Sequence, residues 1–303
     1  MKSEKVKNNI FHKAKKSYWT YKPHKAYKLH SFIFYFSLLY FSLLTLLSTS
    51  AQEPLQNHAF AAGERLDYQL YFNWKFIWLK AGTAYLEIKD GRYNNQDILR
   101  ATLLTKGNKR TDRFFMMRDT IVSYLTPELV PLFFRKGARE GKRYYIDEVW
   151  YDYPGDGNVH LRQRYTNNDR KVFNTERSVN ATVCDMLSML IRARTFDATN
   201  YREGQKIHFK MADGDRVSDE VLIYRGKKKF KMDNTGITYR CLVFSSVWYD
   251  DKNKEREVIT FYITDDLNHI PVRLDMYLRF GTAKAFLRQT TGLRNPQTSI
   301  IIK

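Results

Sequence analysis

The histidines and carboxylates are the residues of this sequence that could carry out chemistry, yet none stands in a recognised catalytic spacing. The four histidines after residue 51 (His58, His160, His208 and His269) show neither an HExxH motif nor any paired spacing for metal binding. The sequence also lacks a G-x-S-x-G nucleophile motif, a phosphate-binding loop and a dinucleotide fingerprint. It therefore predicts no metal site, no cofactor and no catalytic residue, although a hydrolase without a motif stays open.

The two cysteines, Cys184 and Cys241, lack the C-x-x-C spacing of zinc sites and thioredoxin-like redox sites. In an exported protein they could form a disulfide, because the compartment is oxidising. The alternative is two small buried thiols, and the distance between them in the fold decides between the two.

An acidic turn and a charged pair are the other polar candidates. The stretch "TDDLNH" (264–269) could offer calcium ligands, but it lacks the twelve-residue loop ending in Glu, so a hydrogen-bonded turn is favoured. In "FFMMRDT" (114–120), Arg118 and Asp119 are adjacent and so point to opposite faces of a strand. A charge turned inward needs a partner. We expect a structural network that joins Arg118, Asp119, Arg194, Asp266 and Arg273, in preference to a polar ligand-binding spot.

The stretch "ERLDYQLYFNWKFIWLKAG" (64–82) is the most unusual apolar feature. Its first half alternates between apolar and polar residues, and then four successive positions are apolar on both faces, at the corner of a predicted hairpin. The corner could be covered by a helix or loops, which we favour, or form the lip of an apolar cavity lined by flexible Met and aromatic side chains. The predicted ligand-binding residues are Trp74, Phe76, Ile77, Trp78, Leu79, Phe114, Phe115, Met116, Met117, Met186 and Leu190.

The chain is basic, with a formal net charge of +19. The run "YRGKKKFK" (224–231) could meet anionic lipid headgroups, but lysines also protect strand edges from unwanted pairing, and the edge is favoured. Nucleic acid is not an expected partner, because the chain carries an export signal.

That signal comprises residues 1–51. Residues 1–30 carry nine lysines, residues 31–47 carry no charge, and the small-residue stretch "STSA" follows. This order is typical of a secretory signal peptide. We expect export to the periplasm of a Gram-negative bacterium, with residues 31–47 as an inner-membrane anchor if the signal is not cleaved.

The rest of the chain predicts one antiparallel β domain at 63–295, after a lead-in at 52–62 and before a tail at 296–303. Strand follows strand, and "IPVRLDMYLRF" (270–280) alternates most regularly. In "TVCDMLSMLIRAR" (182–194), apolar residues recur with helical spacing, and Thr182 with Asp185 suggests a capping box. We predict a mainly β fold: a strongly curved antiparallel sheet or open barrel with one central amphipathic helix.

Several stretches together resemble the "domain of unknown function 3108" family of exported bacterial envelope proteins. They are "GERLDYQLYFNWKFIWLKAGTAYLEI", "FFMMRDTIVSYLTPELVPLFFRKGAREGK", "CDMLSMLIRAR" and "TDDLNHIPVRLDMYLRFGTAKAFL". The resemblance implies an envelope domain and carries no activity. The sequence favours non-catalytic binding of an apolar or amphipathic ligand such as a lipid. The alternatives are an assembly factor that docks on another envelope protein, and a hydrolase.

Overall fold

The computed structural model describes residues 53–74, 77–113, 116–232, 235–278 and 281–302, with the backbone alone for Trp74 and Ile77. These residues lie in one compact unit, Thr49–Lys303. The predicted signal at 1–51 and the candidate residues Phe76, Phe114 and Phe115 lie outside the described residues.

The first arm of the sheet consists of eight strands, each antiparallel to the next. Tight turns make this possible: between β2 and β3, Asn94 and Asn95 both have positive φ, which asparagine tolerates better than most residues. A single 3-10 turn, Thr111–Arg113, lies between β3 and β4. The strands are β1 (Arg65–Trp74), β2 (Ile77–Tyr93), β3 (Gln96–Gly107), β4 (Met117–Leu125), β5 (Pro131–Glu140), β6 (Arg143–Asp152), β7 (Val159–Thr166) and β8 (Val172–Val179).

The second arm contains one helix, α1, and the remaining strands. The short β9 runs parallel to β10, and the strands from β10 to β15 are antiparallel to their neighbours. Its elements are β9 (Val183–Cys184), α1 (Met186–Ala193), β10 (Lys206–Asp213), β11 (Arg216–Lys231), β12 (Thr238–Tyr249), β13 (Glu255–Thr264), β14 (Pro271–Leu278), β15 (Gly281–Thr291) and β16 (Ile300–Ile301), which pairs with β12.

Pairing of β1 with β15 joins the two arms into one nearly closed, barrel-shaped sheet. Opposite that ladder, side chains of the first arm reach the backbone of the β10–β11 turn. Gln163 donates to the carbonyl oxygens of Gly214 and Arg216 at 3.0 Å each, and Arg177 donates to that of Asp215 at 2.9 Å. We call this contact the seam. The mainly β, barrel-like fold with a single described helix confirms the predicted fold class.

The alternating hairpins give the barrel two ends. The rim end carries the turns β1–β2, β3–β4, β5–β6 and β7–β8 of the first arm, and β10–β11, β12–β13 and β14–β15 of the second. The helix end carries the other turns, and there the chain enters β1 and leaves β15. Helix α1 ends there too, since Arg194 contacts Asn268 in the β13–β14 turn.

The predicted helix boundaries and cap were wrong. Helix α1 begins at Met186, because Val183 and Cys184 form β9 and pair with β10. Asp185 is the N-cap: its carboxylate accepts from the backbone N–H groups of Leu187 and Ser188 at 2.9 and 2.8 Å. The Ser188 hydroxyl accepts from the Asp185 N–H at 2.9 Å, which completes the capping box.

The apolar face of α1 packs against the sheet. Leu187 and Ile191 are buried in the main hydrophobic cluster, and Met189 is buried in a second cluster with Leu242 and Phe244 of β12. Each fully buried leucine or isoleucine stabilises the fold by about 1.5–3 kcal/mol. Tertiary packing therefore stabilises this eight-residue helix, which is too short to persist alone.

The segments predicted as lead-in and tail both contact the barrel. Phe60 is completely buried in the main cluster. Arg294, just before the tail, donates to the carbonyl oxygen of Asn57 at 2.6 Å, and the tail supplies β16. Both segments therefore help to close the helix end.

Candidate functional site

Exposed apolar side chains concentrate at the rim end. Trp248 is 55% exposed and Trp78 is 48% exposed, although burial of large apolar side chains normally stabilises a fold. Of the thirteen exposed large apolar side chains among the described residues, Met186, Ile237, Leu267 and Ile302 lie elsewhere. The nine at the rim end are Trp78, Leu79, Tyr144, Val172, Phe173, Trp248, Val258, Tyr277 and Leu278.

Hydrogen bonds hold neighbouring rim connections together. The Asn108 N–H and the Thr111 hydroxyl both donate to the Ala81 carbonyl oxygen, at 2.9 and 2.7 Å. The Gly141 N–H donates to the Met116 carbonyl oxygen at 2.7 Å. The start of β2 and the described parts of the β3–β4 and β5–β6 connections therefore form one continuous surface.

This surface exposes basic charge alone. Residues 78–80, 106–113 and 139–144, which we call the basic sector, contain two carboxylates, and neither is exposed. Asp112 pairs with Arg118, and Glu140 accepts from the Tyr145 hydroxyl at 3.0 Å. The exposed charged residues of the sector are Lys80, Lys106, Lys109, Arg110, Arg113, Arg139, Lys142 and Arg143. Elsewhere on the rim, exposed charges of both signs occur, as in the β7–β8 and β12–β13 turns.

Trp78 and Leu79, the described side chains of the two-sided apolar tip, are exposed. Trp78 and Leu79 are adjacent in β2 and so point to opposite faces of the sheet, and both are at least 40% exposed. The favoured expectation, a corner covered by the helix or by loops, was wrong for these two residues, because α1 extends toward the opposite end. The Lys284 ammonium lies 4.5 Å from the centre of the Trp78 ring, a cation–π contact.

The other described ligand-binding candidates have different surroundings. Met117 and Leu190 pack against the main hydrophobic cluster, whereas Met186 is exposed at the start of α1. The Met116 carbonyl oxygen takes part in the contact between rim connections. A cavity mouth that these residues share with Trp78 and Leu79 stays a prediction.

Polar side chains lie beneath the rim, on the side of the sheet that faces α1. The Ser123 hydroxyl donates to the helix cap Asp185 at 2.6 Å, so odd-numbered residues of β4 face the helix. Asp119 shares that face and accepts from the Thr105 hydroxyl at 3.0 Å. Through unbroken register the same face continues across β5 and β6. The interior cluster comprises Thr105, Asp119, Lys136, Tyr145 and Asp147.

Burial changes the pKa values of residues in this cluster. It raises the pKa of Asp119, against the opposing effect of the Thr105 hydrogen bond. It also raises the pKa of Tyr145 to about 12. Burial opposes the charge of Lys136, but the interaction with Tyr145 outweighs it, and the pKa of Lys136 is raised. The Lys136 ammonium lies 5.0 Å from the centre of the Tyr145 ring.

Asp147 is the exceptional member of the cluster. The residue is only 3% exposed, and its Oδ1 atom has no hydrogen-bond partner. Burial, followed by the charge of Asp213 at the end of β10, raises the pKa of Asp147 to about 6. An unpaired buried carboxylate is costly, so Asp147 binds a proton at a higher pH than an exposed carboxyl does.

The predicted polar network was wrong: the structure divides its members among three places. Arg118 and Asp119 are at the rim end on opposite faces, and Arg118 pairs with Asp112. Arg273 pairs with Asp275 on its own strand and lies over the Phe230 ring. The network failed because Arg118 and Arg273 each pair with a carboxylate close by in the sequence.

Arg194 and Asp266, the remaining two members, lie at the helix end. Asp266 accepts from the Thr264 hydroxyl at 2.9 Å and from the Asn268 N–H at 3.1 Å, which makes "TDDLNH" a hydrogen-bonded turn. Arg194 is completely buried and pairs with Glu64, with an Nη2–Oε2 distance of 3.0 Å. It also donates to the carbonyl oxygen of Asn268 at 2.9 Å.

The disulfide between Cys184 and Cys241 is not formed. Cys241 is buried in the main hydrophobic cluster, and Cys184 in the second one. Burial raises the pKa of Cys241 to about 12, so this thiol is unreactive as a nucleophile at neutral pH.

Two solvent-open grooves lie at the helix end, and Pro54 and Glu128 contribute to both. Their volumes are about 530 and 690 Å³. Within the described ranges, no three His, Cys, Asp or Glu side chains converge as a metal site. The same part of the chain contains no helix with the length and apolar character of a membrane span.

Comparison with known proteins identifies a family, and a solved structure of low sequence identity is similar. The family model described as "Protein of unknown function (DUF3108)" matches residues 67–288. No curated protein matches the chain. A crystal structure of a β-barrel-like protein of the domain of unknown function DUF1849 from Brucella abortus is similar, with 10% sequence identity and a TM-score of 0.47. The match covers 75% of this chain and 96% of that one.

Proposed function

We propose that this chain, which belongs to the DUF3108 family of proteins of unknown function, is a non-catalytic envelope protein that binds lipid through its rim end. The observation that carries the proposal is the concentration of exposed large apolar side chains, Trp78 and Leu79 above all, at one end of the barrel. Large exposed apolar patches typically mark interaction sites for lipid or protein. The predicted signal at residues 1–51 supports a location in the periplasm.

The mode of binding that we propose is contact at the rim surface. Helix α1 and buried apolar side chains occupy the helix-facing side of the sheet. The charged side chains of the interior cluster lie directly beneath the rim, and an acyl chain that entered between them would leave carboxylates without water. Tryptophan and tyrosine, with neighbouring lysine, are the side chains that favour the water–membrane interface.

The test uses the chain from Gln52 onward, which contains all the described residues. Its co-sedimentation with mixed phosphatidylcholine–phosphatidylglycerol vesicles is measured. The Trp78→Asp/Leu79→Asp variant should lose binding, because a charged side chain resists insertion at an apolar boundary. Its melting temperature should stay close to that of the parent, because both side chains are exposed.

The matched control is Leu267→Asp, which alters an exposed leucine at the helix end. It should sediment with the vesicles as the parent chain does. Failure of the parent chain to sediment, or equal binding by the rim and Leu267 variants, would overturn the proposal.

A second candidate is docking on another envelope protein. It rests on β8, an eight-residue strand at the end of the sheet order, which pairs with β7 alone. A free edge can accept an added strand from a partner. Thr175→Pro, which removes one backbone N–H from this strand, would abolish recovery of such a partner by crosslinking and leave vesicle binding intact.

A further inference from the structure

We infer that the basic sector directs the rim to anionic phospholipid, so that the β1–β6 side of the rim faces the membrane first. This inference rests on the proposed function and adds the lipid headgroup class and the orientation. It requires that basic charge, apolar side chains and accessibility coincide on one continuous surface.

The charge requirement is met by the eight exposed basic side chains of the sector. None of them forms an ion pair with a described residue, whereas elsewhere on the surface Lys210 pairs with Asp219 and Lys227 with Asp265. Their charges are therefore available to an external anion. Lysine and arginine near an anionic membrane each contribute attraction that falls off within about 10 Å at moderate salt.

The apolar requirement is met within the same sector. Trp78 and Leu79 precede Lys80 in β2, and Tyr144 follows Arg143 in β6. Hydrogen bonds through Ala81 and Gly141 hold the start of β2 beside the β3–β4 and β5–β6 connections. The basic and apolar side chains therefore lie on one surface. Such a mixture matches an anionic interface, where headgroups take the cations and the acyl boundary takes the rings.

Two rim connections of the second arm, β10–β11 and β12–β13, do not share this character. Asp213, at the end of β10, is exposed beside Arg216, and the β12–β13 turn exposes Asp251. Carboxylates at these positions are repelled by anionic headgroups. The charge difference around the rim therefore selects which side approaches the bilayer.

The experiment measures the affinity of the chain from Gln52 onward for neutral phosphatidylcholine vesicles and for vesicles that also contain phosphatidylglycerol. The Lys109→Glu/Arg110→Glu variant should bind the anionic vesicles at least about tenfold more weakly than the parent. Its affinity for neutral vesicles should be unchanged. Rising salt should weaken binding of the parent to the anionic vesicles alone.

The matched control is Lys228→Glu/Lys229→Glu, which reverses two adjacent exposed lysines on β11, away from the rim turns. It should bind as the parent does. Equal loss in both variants would show attraction by overall charge and overturn the inference. Equal affinity of the parent for both kinds of vesicle would overturn it and leave the proposed function standing, whereas no binding to either would overturn both.

Discussion

At the helix end of the barrel, charged side chains are buried and paired, whereas at the rim end large apolar side chains are exposed. Arg194 and Glu64 have almost no contact with solvent, while Trp78 and Leu79 have a great deal. Both arrangements depart from the usual distribution of residues between core and surface. The difference shows that one sheet can bury an ion pair at one end and expose apolar side chains at the other.

Removal of one partner of the buried ion pair should produce the largest effect on folding. Glu64→Gln leaves the Arg194 guanidinium buried without a counter-charge, which costs about 3–5 kcal/mol. Urea unfolding measures the loss. The control is Asp67→Asn, which breaks the partly exposed pair with Arg65 and should cost less than about 1 kcal/mol. Similar losses in the two variants would contradict the contrast between the ends.

Removal of the helix cap should have the next largest effect. Asp185→Ala leaves backbone N–H groups in the first turn of α1, and the Ser123 hydroxyl, without their acceptor. We therefore expect the free energy of unfolding to fall by about 2–3 kcal/mol. Thr182→Ala, at the cap position suggested by sequence, should change the unfolding free energy by less than about 0.5 kcal/mol. The measurement is thermal unfolding of the two variants. A larger loss of stability in Thr182→Ala would contradict the assignment of Asp185 as the helix cap.

Asp147 should make stability depend on pH, with a smaller effect. Its folded pKa, about 6, lies above its ordinary value of 3.8, so the folded state holds this proton more tightly than the unfolded state does. The stabilisation is complete below about pH 4 and is lost as the pH rises through about 6. Asp147→Asn should flatten that part of the stability profile and stabilise the chain at pH 7 by about 1–2 kcal/mol.

The measurement is denaturant unfolding at several pH values between 4 and 8, in which this carboxyl changes its protonation. Asp213→Asn serves as the comparison, because it removes a neighbouring negative charge and should flatten the profile in part. A profile with the parent's slope in Asp147→Asn would assign the pH dependence to another group.

The β architecture could be predicted because apolar alternation depends on near neighbours in the sequence. The strand around Val272 and Leu274 alternates in the sequence and forms β14. The helix limits failed for a tertiary reason: Val183 and Cys184 continue the apolar stripe of α1, and pairing with β10 takes them into β9. A distant strand overrode local periodicity there.

The candidate sites were harder to predict, because they depend on which turns meet. No local signal joins Lys80, Lys109 and Lys142, which come together only through the hairpin order. The interior cluster did leave a signal. Lys136 lies between Phe134 and Ala138 at alternate positions, so it occupies the helix-facing side of an otherwise apolar face. A polar residue at such a position indicates a buried polar group, but Lys136 was not among the predicted site residues.

The ladder between β1 and β15 has a consequence for how the chain folds. Within each arm the antiparallel strands pair with sequence neighbours, so hairpins can form while synthesis continues, and short loops make their formation fast. Arg65 and its partner Thr291 are separated by almost the whole domain. Closure must therefore wait for the last long strand to emerge, and until then β1 exposes an unpaired edge that is open to aggregation.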